Sequence, residues 1–285
     1  MAERFSDVSA QIRNIQQLEV VVTALRGIAA SRAQQARALL AGIEAYSAIV
    51  SRAIGQALPL LPADYRPGGE RRRQPIGLIL FCAEQGFAGA FSERVLDAVR
   101  TDGAGAMTFL IGTRGLAVAR ERNLTPAWSS PMASHVDAVP ALANEIADAL
   151  YARIMGSAPS TIQMIVPRST PAGTVRIDRR SLLPLDFASF TAASETPPLT
   201  TLKPEDLLER LTGEYVFARL CEAAMHAYEA ENQARMMTMT AARHNIGTRL
   251  AALTQREQQI RQEEITNEIM ELAAGAEALR VIVDS

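Results

Sequence analysis

The turn Glu84 to Phe91, EQGFAGAF, stands where a phosphate site would stand. An apolar run ends just before it and a helical pattern begins at its end. A helix N-terminus offers free N–H groups to an anion. The details of the turn argue the other way. It lacks the third glycine of the dinucleotide fingerprint and the GK[ST] of a P-loop, and the next apolar run closes on Ile111-Gly112-Thr113, with no acid to hold a ribose. It reads as a structural turn. His135, His226 and His244 are scattered and fit no metal-ligand spacing, so each reads as an ordinary polar or packed histidine. Glu263, Glu264, Glu268 and Glu271 share one helical stretch and read as a solvated face. Cys82 and Cys221 match no redox or zinc pattern and read as buried thiols in a reducing compartment. No serine, cysteine or lysine nucleophile stands beside a base in a recognisable turn. The residues thus predict no catalytic centre, no metal site and no cofactor.

The elements that carry these residues divide along one boundary signal. All 14 prolines fall between Pro59 and Pro204, and proline breaks helix interiors. Two proline-free arms therefore flank a central module, with expected boundaries at 1–58, 59–204 and 205–285. In the first arm Val8, Ile12, Ile15, Val22 and Leu25 recur at helical spacing, and Leu39, Ile43, Tyr46, Val50, Ile54 and Ala57 resume the rhythm. The alanine-rich run between them, RGIAASRAQQARAL, lets a partner helix come close. In the last arm the apolar positions are Ile246, Leu250, Leu253 and Ile260, then Ile265, Ile269, Leu272, Ala276 and Leu279. Periodicity far beyond 25 residues points to a coiled coil, a membrane span or a helical repeat, and the scattered charges exclude the span. The two arms predict an antiparallel coiled coil with the module inserted between them. Met225, Met236, Met237 and Met239 cluster in the last arm and read as core filling, although methionine also suits a surface that meets changing partners.

The central module alternates short apolar runs with helical patterns. Pro75 to Cys82, Ala106 to Gly112, Pro126 to Ser129 and Thr161 to Pro167 read as strands, with Thr174 to Leu183 as an antiparallel addition. Phe91 to Thr101, Thr113 to Asn123 and Val136 to Met155 read as helices. This alternation predicts a Rossmann-like α/β sheet covered on both faces. The linker from Leu58 to Gln74 carries the basic run Arg71-Arg72-Arg73, expected to be a solvated loop.

Hydrophobic residues make up 48% of the 285-residue chain, enough for a real core, and the net charge of -2 argues against binding nucleic acid by bulk electrostatics. No apolar leader is visible at MAERFSDVSA and no run of 18 apolar residues appears, so neither a signal peptide nor a membrane crossing is expected.

Residues Glu231 to Leu279 resemble the C-terminal signature of the gamma subunit of F-type rotary ATP synthases. The resemblance rests on Ala234-Arg235-Met236 with Met239, on Asn245, on Arg261-Gln262, on Ile265-Thr266 with Glu268, and on Gly275-Ala276. Upstream, the turn from Gly86 to Phe91 and the run Ile28-Ala29-Ala30-Ser31-Arg32 fall where that family has a glycine-rich turn and a small-residue run ending in a base. The resemblance implies a central rotor shaft without an active site of its own. It would stand inside a hexameric ring of alpha and beta subunits, with the α/β domain near the epsilon subunit and the c-ring, on the cytoplasmic face of the bacterial inner membrane. Proton or sodium flow would turn it. It also implies that Arg235, Gln262, Thr266 and Glu268 touch the beta subunits. Leu279, Val281, Ile282 and Val283 would lie in an apolar bearing. Two departures stand out: Val20, Val21 and Val22 replace an expected lysine-rich region, and Gln258-Gln259 replace an asparagine and a base. They point to a variant, N-type complex. The competing expectation is a nucleotide-binding α/β module dimerised by the coiled coil.

Overall fold

A computed structural model describes residues 5–62, 76–99, 106–154, 161–190 and 198–283, with side chains described except at 154 and from 275 onward. The arginine run at 71–73 and the side chains of Leu279, Val281, Ile282 and Val283 lie outside the described set. Two helices dominate: α1, Phe5–Ala57, and the last helix, α5, Pro204–Val283. α1 ends two residues before Pro59 and α5 begins at Pro204, because between those limits and the far ends of the arms nothing breaks a helix once packing supports it. By compactness the chain forms two units, residues 28–238 and residues 1–27 with 239–285.

The unit 28–238 is a three-layer α/β body. Its strands are β1 (Ile76–Phe81), β2 (Met107–Ile111), β3 (Trp128–Ser130), β4 (Thr161–Ser169) and β5 (Val175–Leu183), in the order β3-β2-β1-β4-β5. The first four run parallel and β5 joins β4 antiparallel. The short apolar runs predicted as strands form the parallel part, because a strand covered on both faces has no polar side to show. Alternation sorts β1 cleanly. Leu78 and Leu80 face α2 (Phe91–Asp97) and α3 (Thr113–Glu121). Ile79 and Phe81 face α4 (Val139–Ile154) and α5. The helix expected to reach Thr101 stops at Asp97, where a tighter bond from Val99 N–H to the Leu96 carbonyl closes the last turn. Edge strand β5 carries Arg176, Asp178, Arg179 and Arg180, the charged edge that discourages pairing with another chain.

Within this unit α1 and α5 run antiparallel. Ala36 packs near Val216 to Tyr228, and Val50 and Ile54 pack on Leu208. Every residue of α5 from Cys221 to Arg235 is buried, because α1 and the sheet cover it from different sides.

In the unit formed by 1–27 and 239–285 the two helices also run antiparallel. Val8 meets Leu253 and Ile260, while Val22 meets Met239 and Ile246. The buried residues of α5 recur every seventh position, Met239, Ile246, Leu253 and Ile260, and Val8, Ile15 and Val22 answer on α1. That narrow seam is the geometry of a two-stranded coiled coil. Among the described residues the expected seam does not continue past Ile260, and Ala276 and Leu279 lie outside the described side chains. Ile265, Ile269 and Leu272 are exposed, since the next heptad position is Asn267 and the apolar residues have moved to another side of the helix.

Candidate interaction surface

One end of the parallel sheet would be the place for a ligand in an α/β fold. Here this chain's own side chains fill it. Glu84, at the end of β1, accepts hydrogen bonds from Thr113 N–H (2.9 Å), the Thr113 hydroxyl (2.8 Å) and Met132 N–H (2.8 Å). A carboxylate therefore already complements the N-terminus of α3. Glu231 of α5 reaches the same turn and accepts from the N–H groups of Glu84 (3.0 Å) and Gln85 (3.1 Å). Two carboxylates thus already occupy backbone donors at the start of the turn and at the N-terminus of α3. Gly112, at φ +110°, lies so close to the end of β1 that a side chain would come within 2.6 Å of the Cys82 carbonyl oxygen.

Arg235, one turn beyond Glu231, completes the clamp. It pairs with Glu231, donates to the Gly86 carbonyl (3.1 Å) and the Gln85 carbonyl (3.3 Å), and binds Asn232 Oδ1 (3.0 Å). The buried guanidinium is fully engaged, as burial of a charge requires. The held turn presents Phe87, at φ +63°, to solvent. Sequence reasoning placed Arg235 on a surface facing another subunit. The structure places it inside, where it shapes a loop. The signal was the Glu231-Arg235 spacing of four on one helix, but its target loop lies about 150 positions upstream.

Further along α5, Glu222 accepts from Arg180 (2.7 Å) and Arg219 (2.5 Å), and Glu229 accepts from Arg37 (2.7 Å), which also binds Gln233 (2.8 Å). His226 packs between these pairs. Burial pushes its imidazole down to about 4, and the Arg168 guanidinium acts in the same direction. His135 meets the Ser134 hydroxyl at 2.8 Å, and His244 is exposed. Both cysteine thiols are buried and free, each pushed up to about 12. Burial is the main cause in both, helped by the charge of Glu231 at Cys82 and of Glu214 at Cys221.

Gln262, Thr266 and Glu268 are all exposed on α5. Thr266 returns its hydroxyl to the Gln262 carbonyl (2.8 Å). Among them stand Ile265, Ile269, Met270 and Leu272, each about half or more exposed. On α1 the exposed large apolar residues include Leu18, Val20 and Val21 near its start and Ile28, Leu39 and Ile49 further on. By length and composition alone α1 would pass for a membrane span, contrary to the expectation that no stretch was apolar enough. Valine and alanine raise its average without forming an unbroken run, and only 22% of that window is buried within the chain. Met225 and Met239 fill core positions as expected, but Met237 is exposed.

Two long helices that flank an α/β insertion in the chain, with an apolar stripe exposed on α5, define the class of fold. A family model described as ATP synthase matches residues 4–279, so the chain belongs to that family, among the gamma chains. It is 23% identical to the ATP synthase gamma chain of Sulfurihydrogenibium sp. over 286 residues, covering 96% of this chain and 98% of that one. It is 27% identical to the gamma chain of Clavibacter michiganensis, covering 94% and 95%. Among solved structures, its fold is similar to a chain of the Euglena gracilis mitochondrial ATP synthase, OSCP/F1/c-ring assembly. The TM-score is 0.67 at 13% identity, covering 96% of this chain and 94% of that one.

Proposed function

We propose that this chain is the central rotor shaft of a proton- or sodium-driven ATP synthase, a non-catalytic subunit that couples rotation of a c-ring to ATP synthesis or hydrolysis in a ring of alpha and beta subunits. One observation carries the reading. The apolar stripe Ile265, Ile269 and Leu272 lies roughly 120–180° around the helix from the buried position Ile260. α1 cannot cover it, so its cover comes from another chain. A gamma chain's surroundings, a ring of catalytic subunits, supply that cover. Gln262, Thr266 and Glu268 lie on the same exposed stretch and contact the beta subunits. Arg235 contributes through the turn it clamps. Leu279, Val281, Ile282 and Val283 continue into an apolar bearing. The division 1–58, 59–204, 205–285 then has a functional sense: two strands of a shaft and a foot that meets epsilon and the c-ring, on the cytoplasmic face of the bacterial inner membrane.

An asymmetric shaft acts by touching different conformers of the ring with different energy, which is what shifts a population. The valines at 20–22 in place of basic residues favour a divergent, N-type complex. Mixing the purified chain with its alpha and beta subunits tests the proposal. A stoichiometric complex with ATPase activity is expected, and Ile269→Asp with Leu272→Asp should prevent its formation while leaving the isolated chain folded. Failure of the wild-type chain to associate under mild conditions would overturn it.

A further inference from the structure

The unit 28–238 contains one cluster that neither the sheet nor the shaft explains. Glu222 and His226 lie one turn apart on α5, and Glu44 of α1 comes to the same point. His226 Nε2 is 3.5 Å from Glu44 Oε1 and 3.8 Å from Glu222 Oε1, and the three atoms all lie within 4.8 Å of one another. Both nitrogen distances are too long for a good hydrogen bond. The imidazole is more than nine-tenths buried, and its Nε2 has no hydrogen-bond partner. Such an orphan is costly unless something else satisfies it.

We propose that His226, Glu222 and Glu44 form a binding site for a divalent transition-metal ion, zinc in the first instance. Zinc sits about 2.0–2.2 Å from imidazole nitrogen and carboxylate oxygen in a tetrahedral arrangement. That arrangement sets ligand atoms roughly 3.4 Å apart, close to the observed 3.5 and 3.8 Å. One nitrogen and two oxygens leave the fourth position to water. His226 lines a cavity of about 370 Å³ together with Arg37, Arg168 and Ser169. The Ser169 hydroxyl oxygen is a second buried atom without a partner in that wall, suited to hold the bound water.

The surrounding charges set the strength. Arg180 and Arg219 bind the Glu222 carboxylate, Arg168 stands 3.8 Å from Glu44 and 3.9 Å from Asp178. Arg219 holds the far oxygen of Glu222, whereas Arg180 binds the Glu222 oxygen that faces His226 and Arg168 stands beside the Glu44 oxygen that does so, and an entering ion shares those two oxygens with them. The guanidiniums also cancel the acidic charge, so the ion is held by geometry more than by net attraction. Its effect is to staple α1 to α5 between two existing polar contacts, Arg37 with Glu229 and Tyr46 with Glu214.

Calorimetry on the full chain, stripped with chelator and titrated with zinc near neutral pH, tests the site. One equivalent should bind and raise the melting temperature, and cobalt should give the absorption of a four-coordinate ion. Glu44→Gln and His226→Gln should each weaken zinc at least about tenfold and abolish the cobalt band. Glu44 is half exposed, so Glu44→Gln leaves the fold intact and stands as the deciding variant should His226→Gln unfold. No zinc binding by the wild-type chain at about 0.1 mM, or undiminished binding in Glu44→Gln, would overturn the proposal.

Discussion

Helix α5 is one element with two ways of being stable. Between Cys221 and Arg235 it is buried all round, and its polar residues survive there through mutual pairing: Glu222 with two arginines, Glu229 with Arg37, Glu231 with Arg235. From Met239 to Ile260 it buries only one residue in seven and leaves most of the others exposed. The first stretch depends on a network whose members cannot be removed singly. The second depends on a seam of separate apolar contacts, each of modest worth.

Breaking the root should cost most. Arg235→Ala leaves the buried Glu231 carboxylate without its cation and releases Gln85 and Gly86. We expect a loss of about 3–5 kcal/mol, read from urea unfolding of the isolated chain. A loss under about 1 kcal/mol would mean that the clamp is no tighter than a surface pair. Leu253→Ala in the seam should cost about 2 kcal/mol, the low end for a leucine, because a two-helix contact can collapse around the gap.

The thiols sharpen the contrast by pH. Folding raises both cysteine pKa values from 9.0 to about 12. The folded state therefore keeps protons that the unfolded chain releases, and the stability tied to them is present below pH 9 and falls as pH climbs toward 12. Unfolding midpoints measured upward from neutrality should decline in that window, more in the wild type than in Cys82→Ala. Iodoacetamide should likewise label neither thiol near neutral pH until denaturant is added.

The smallest effect should come from the exposed stripe. Ile269→Ala should change the stability of the isolated chain by no more than about 0.5 kcal/mol, while measurably weakening its complex with alpha and beta subunits. A large loss of stability in the isolated chain would show that Ile269 packs internally, removing the distinction between seam and stripe.

The arms, the strands of the sheet and the antiparallel pairing were all legible in advance, because proline placement and apolar spacing are local signals. The seam was legible only in part. Apolar spacing predicts Ile246, Leu253 and Ile260 in the seam, where they lie, and predicts Ile265, Ile269 and Leu272 as its continuation, which they are not, since a run of threes and fours looks the same whether or not a partner helix is still alongside. The resemblance implied that Arg235 touches a beta subunit, whereas the burial of its guanidinium under a loop about 150 positions upstream is written in no helical spacing. His226 was set aside for want of a ligand spacing, although Glu222 stood four residues before it.

Residue order alone determined where helices could run unbroken, which runs could lie inside a sheet and that the chain belongs with rotary-motor stalks. The tertiary structure alone decided which charges neutralise which, that Glu231 takes up the first donors of the glycine turn while Glu84 takes those of Thr113 and Met132, and that Glu44 comes beside His226. The physical reason is distance along the chain. Periodicity is written within a few turns, whereas the partner of a buried charge can lie 150 or more positions away and is chosen only when the layers close.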